Sequence, residues 1–274
     1  MDKRGVADTA KEYSRGIIGG LLFSLPLLYT MEVWWTGFIA SPLKLAGFVL
    51  FTFLLLLGYN KHAGVRKDIS TADLFRESME EIGLSFVVTF LFLLLINKVG
   101  FTMSFREIAG KVIVEAMIVA IGISVGTAQL GEDDRVGNGK KKDEGSTIQM
   151  LVLALCGGVL VSSSVAPTDE ILIIAIASTP IHLLLMVLLS LVLCALILGY
   201  IDFRNTSLEE KPNLQHTLLL VVMSYFSALL VSFIMLWFFG RVTGNSAEII
   251  IAQVIVLAVP AALGASAGRL IIGK

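Results

Sequence analysis

Eight stretches of this chain are each long and apolar enough to cross a lipid bilayer, and that pattern restricts its folding more than any other feature. They run over about 16–36, 43–59, 82–98, 107–129, 148–167, 180–200, 216–240 and 247–271. A helix rises about 1.5 Å per residue, so about 20 apolar residues cover a hydrocarbon core of about 30 Å. Lipid offers no partner to a backbone N–H or C=O, so each stretch must close its own hydrogen bonds as a helix. The expected fold class is an all-α membrane protein of eight transmembrane helices. Composition agrees: 56% of the 274 residues are hydrophobic and 16% charged, against about a quarter charged in soluble domains.

The placement of charge then orients the chain. Sixteen of the 21 basic residues fall at the N-terminus, in the even-numbered loops or at the C-terminus, which the positive-inside rule puts in the cytoplasm. Trp34, Trp35 and Trp237 fall near the opposite helix ends, as an interfacial aromatic belt requires. The expected location is the cell (inner) membrane, multi-pass, with both termini cytoplasmic. Residues 1–15 read as a cytoplasmic leader to the first span, since no small-residue cleavage site follows. The segment Ser70 to Glu81 reads as a short cytoplasmic helix or an extension of the third span, its charge as solvated surface.

The chain also repeats itself. Gly19-Gly20 precedes Glu32 as Gly157-Gly158 precedes Glu170, at an offset of 138, and Thr30 and Pro42 match Thr168 and Pro180. Lys111 to Ala116 aligns with Gln253 to Ala258, and the same register pairs Gly122, Ser124 and Gly126 with Gly264, Ser266 and Gly268. Apolar matches come easily in a membrane protein, but glycines, prolines and a glutamate in register do not. The domain reading is therefore 16–130 as a first four-helix repeat, 131–147 as a charged cytoplasmic linker and 148–274 as a second repeat. Four spans is an even number, so the copies run parallel, about a pseudo-twofold axis along the membrane normal.

Ionisable residues within a span cost about 2.5–3.5 kcal/mol each on insertion scales, so each needs a reason. Glu32 and Glu170 are the repeat-related pair, and apolar sequence continues beyond both before Pro42 and Pro180. These continuations read as discontinuous or re-entrant segments, with Pro26 and Pro167 breaking the preceding helices. Thr168 is placed to cap a half-helix whose first turn holds Asp169 and Glu170. Freed carbonyls and paired acids suit a cation or proton, giving Glu32, Glu170, Asp169, Thr168 and Thr30 as the candidate ion-binding set. The competing reading makes both glutamates interfacial helix caps.

Lys111 and Glu115 stand i, i+4 apart and are expected to form an intramembrane ion pair, serving chiefly neutralisation because Lys111 can snorkel outward. Gly122-Ile123-Ser124-Val125-Gly126 spells the nucleophile-elbow pattern, but it lacks the strand-to-helix turn that pattern needs. Gly122, Gly126, Gly264 and Gly268 read instead as helix-packing positions. No paired-histidine or CxxC ligand set, Walker motif or basic face appears. The expectation is no enzyme, no cofactor and no nucleic-acid partner.

The run Arg15 to Trp35, with Ala166-Pro167-Thr168-Asp169-Glu170 later, resembles an uncharacterised bacterial family of integral membrane proteins of unknown function. That resemblance spans most of the chain and implies a fold and a location, not an activity. The residues themselves favour an ion transporter or channel, with the bilayer and a small cation or proton as partners. A non-transporting sensor or assembly partner docking through 131–146 is the second reading, and an intramembrane lipid enzyme the third. A homodimer and purely internal packing explain the small-residue helices equally well.

Overall fold

The computed structural model describes residues 6–64, 70–100, 102–130, 147–205 and 214–272. The charged linker expected over 131–147 lies outside the described residues, Thr147 apart, as do residues 1–5 of the leader. The described residues form ten helices: α1 (Val6–Leu28), α2 (Met31–Ile39), α3 (Pro42–Ala63), α4 (Thr71–Leu95), α5 (Phe105–Gln129), α6 (Thr147–Ser162), α7 (Glu170–Ala177), α8 (Pro180–Asn205), α9 (Leu214–Phe238) and α10 (Ala247–Ile272). Two compact units result, Met1–Tyr29 with Gly37–Gln149 and Thr30–Thr36 with Met150–Lys274.

Six helices (α3, α4, α5, α8, α9 and α10) are long and apolar enough to cross a membrane. The expected first and fifth spans are not single rods. The first ends at Leu28, and α2 leaves it at 87°; counted as one broken span, the pair makes seven. Pro26 sits inside α1, so the break falls after the proline and not at it. The ring removes one N–H, while Leu27 and Leu28 still carry the donors that finish the turn. The fifth stretch ends at Ser162 after 16 residues and turns through 163–169 before α7. Pro167 does lie in this break. Hydroxyls help to satisfy its backbone: Ser163, Ser164 and Thr168 donate to the carbonyls of Leu160, Val161 and Val165 at 3.2, 3.0 and 2.9 Å. Thr168 therefore bonds backward and does not cap α7, whose N-cap Asp169 makes no side-chain cap bond either.

The segment 70–81 is not a separate helix. Ser70 accepts from the Asp73 N–H at 3.1 Å, and α4 then runs unbroken from Thr71 to Leu95. This capped start lengthens the third span by three turns at its N-terminal end.

In the first unit α1, α3 and α4 pack around α5, whose residues 110–126 are buried except for Ile113. Glycine makes the α1–α5 approach close. A Cβ at Gly19 would overlap the backbone of Gly126, and one at Gly20 would stand 2.7 Å from Ile123 Cγ1. In the second unit α7, α8 and α9 pack on α10, and α6 meets α10 where a Cβ at Gly157 would overlap the Gly264 backbone. Cβ atoms built at Gly122 and Gly126 would meet α1, and those at Gly264 and Gly268 would meet α6. Both α4 and α9 end in a left-handed residue, Asn97 (φ 58) and Gly240 (φ 76). The next N–H then reaches back, Lys98 to Leu93 O and Arg241 to Leu236 O, both at 2.8 Å, which satisfies a terminal carbonyl.

A candidate ion site in the first unit

The residues expected to bind an ion divide between the two breaks. Glu32 lies in the first turn of α2, partly buried, and Glu170 in the first turn of α7, exposed. Neither carboxylate has a hydrogen-bond or ion-pair partner among the described residues. Thr30 contributes its carbonyl to the Val33 N–H at 3.2 Å. Asp169 is engaged by Arg241, whose Nη1 lies 2.5 Å from Asp169 Oδ1 while Nη2 donates to the Pro167 carbonyl. That guanidinium ties the break to the loop after α9. Asn245 and Gln253 in turn donate to the Arg241 carbonyl, at 2.7 and 3.5 Å. No group of three or more His, Cys, Asp or Glu side chains among the described residues could hold a metal ion.

The expected Lys111–Glu115 pair is replaced by another. Lys111 Nζ donates to Glu107 Oε1 at 2.7 Å and to the Lys98 carbonyl at 3.3 Å. Side chains on a helix lean toward its N-terminus, and a buried lysine runs its stem along apolar surface to bring its head outward. Both effects carry the ammonium away from Glu115, which is fully buried deeper on α5.

A polar constellation lies between α3, α4 and α5, and it contains Glu81, whose segment reads from sequence as solvated surface. Glu81 is buried, with 9% of its surface exposed. Asn60 Nδ2 donates to Glu81 Oε2 at 2.7 Å and to Ser78 Oγ at 3.1 Å, and Ser124 Oγ donates to Asn60 Oδ1 at 2.7 Å. The Asn60 amide is thereby fixed, its donors toward the acid and its acceptor toward α5. Leaving such a buried group without its partner costs about 1–3 kcal/mol. Ser124 thus has a role separate from its flanking glycines: the glycines admit α1, and the serine orients Asn60.

Glu81 also lines a cavity of about 250 Å³ that reaches Glu12, Tyr13 and Gly16 on α1, Arg76, Glu77 and Glu80 on α4, and Thr127 on α5. A buried acid is thus connected to the surface by a polar vestibule. Deeper in the unit, the hydroxyls of Ser24, Thr52 and Thr89 are fully buried without a hydrogen-bond partner. The signal was present in the sequence: Ser78, Glu81, Ser85 and Thr89 recur at three- and four-residue spacing and mark one polar face of a helix. Starting the span at 82 cut that stripe in two.

A chain of long apolar helices whose buried polar groups are paired or gathered in clusters is an integral membrane protein. Residues 12–272 match the family model described as "Putative integral membrane protein (DUF2391)", and the chain belongs to that family. No curated protein and no solved structure matches it.

Proposed function

We propose that this protein is a cation or proton transporter or channel of the cell (inner) membrane, with both termini cytoplasmic, and not an enzyme. The observation that carries the reading is Glu81, a buried acid held by an oriented amide at the foot of a surface-connected cavity. Burying a carboxylate among membrane helices is costly, and intramembrane acids characteristically mark ion and proton pathways. A purely structural role would be served as well by an apolar side chain. In this reading Glu32 and Glu170, with Thr30, Thr168 and Asp169, form an ion-binding set of the second unit, on the outer side. Glu81 is the inner site.

Eight crossings in two parallel four-span repeats complete the proposal, with α1 and α6 as first spans and α2 and α7 as short segments after each break. Four correspondences support duplication. Each half of the sequence has a break followed by a glutamate, and each has its glycine contact between first and last helices. Each ends its penultimate helix in a left-handed turn. Lys111 donates to the Lys98 carbonyl as Gln253 donates to the Arg241 carbonyl, which is the pairing read from sequence.

The test is ion flux into proteoliposomes under separate proton, sodium, potassium and calcium gradients. Flux of one ion, lost in Glu81→Gln at unchanged reconstitution yield, is the expected result. No flux under any gradient would remove the transport reading.

A further inference from the structure

Two buried acids lie at different depths of the first unit, and the register of its helices can be read from contacts. Asn60 touches Glu81 on α4 and Ser124 on α5, so these three positions share a level. Eight residues along a helix is about 12 Å. Counting that far from the cluster in the same direction reaches Thr52 on α3 and Thr89 on α4, and one residue further reaches Glu115 on α5. On α1, Gly20 packs against Gly122 and Val119, which brings Ser24, one turn on, to nearly the same level. All four side chains are fully buried, and the three hydroxyls have no hydrogen-bond partner.

We propose that Glu115 is a second protonation site, and that protons reach it from Glu81 through water held by Ser24, Thr52 and Thr89. The inference rests on the transport reading and names the species carried. Each hydroxyl or water takes a proton on its oxygen lone pair and releases its own to the next oxygen. A proton lost from the Glu81 carboxyl thus ends on the Glu115 carboxylate, with no net change between. A metal ion is poorly served on this route. Asn60 presents N–H donors to Glu81, and its carbonyl oxygen already accepts from Ser124, so the first station offers few free lone pairs. The charged and titratable groups that line the cavity with Glu81 are Glu12 and Tyr13 from α1 and Arg76, Glu77 and Glu80 from α4. From α3 and α5 the nearby groups are the uncharged Asn60, Ser124 and Thr127. One turn from Glu115 on its own helix, Lys111 is held by Glu107.

The test is infrared spectroscopy of the full chain in lipid vesicles, following the C=O stretch of protonated carboxyl groups as water is exchanged for deuterium oxide. The expected result is a band that survives Glu81→Gln, disappears in Glu115→Gln, and exchanges several-fold more slowly in Thr52→Val and Thr89→Val. Glu115→Asp, which keeps the acid, should shift the band and so covers the case in which the glutamine variant does not fold. Exchange indifferent to both threonines would overturn the route. A band displaced by sodium or potassium at constant pH would overturn the proton. Exchange needs no net flux, so wild-type protein that moves no ion yet shows the threonine-dependent band would sink the transport reading and leave the second site standing.

Discussion

The first unit buries Glu81, Lys111 and Glu115 among its helices, whereas the second buries, among its described residues, serines and Gln253 but no charged side chain. Both halves follow the same local plan of broken first helix, short second helix and glycine-lined last helix. Their difference lies in where charge sits. In the second unit it is drawn to the break, where Arg241 spans Asp169 and Pro167. In the register that pairs Asn97 with Gly240, Ser224 stands where the first unit has Glu81. Ser266 stands where Ser124 does, yet it donates to the Ala262 carbonyl of its own helix at 2.6 Å and has the Cys194 thiol of α8, not an amide, as its neighbour. One half thus carries an acid network, and the other carries serines such as Ser190, Ser227 and Ser266 that back-bond to their own helices. Packing and site are separable here, and only the packing is common to both.

The largest effect should come from what the units share. Gly19→Leu and Gly157→Leu each drive a side chain into a facing backbone. Each should cost about 3 kcal/mol, seen as loss of the monodisperse peak on size-exclusion chromatography in detergent. Tolerance of one but not the other would break the equivalence of the two units. Next comes the serine pair. Ser124→Val strips Asn60 of its donor and should destabilise by about 1 kcal/mol, while Ser266→Val should change less, because its hydroxyl back-bonds within α10 and meets only the weakly bonding Cys194 thiol. Thermal unfolding of the two variants side by side checks this, and equal losses would deny the first unit its special network. The smallest effect is expected at Arg241→Ala. Its ion pair with the 71% exposed Asp169 is worth about 0–1 kcal/mol, so proteolysis near 163–169 should rise while global unfolding scarcely moves.

Much of this was legible in the chain. Six of the expected spans are long helices, because an apolar run of that length in lipid has no other way to satisfy its backbone. The glycines were legible too, since small residues one turn apart in an apolar helix mark a close approach. The interruptions were harder to place. Pro26 sits within α1 and the turn follows two residues later, because a proline removes one donor without fixing where the chain bends. Glu81 was missed for a different reason. It lies at the polar end of an otherwise apolar helix, where hydropathy alone assigns it to water. Its burial depends on Asn60 and Ser124, which lie 21 and 43 residues away in the chain. Lys111 chose Glu107 over Glu115 by side-chain direction, which i, i+4 spacing leaves open both ways.

The account stands on the claim that the buried acid of the first unit, and not the exposed acid of the second, is where an ion is handled. The direct measurement is flux of the transported ion into proteoliposomes for Glu81→Gln and Glu170→Gln, prepared side by side at equal protein content. The account predicts flux at the protein-free background in Glu81→Gln and a measurable remainder in Glu170→Gln. Wild-type flux in Glu81→Gln, with loss in Glu170→Gln, would contradict it and move the site to the break before α7.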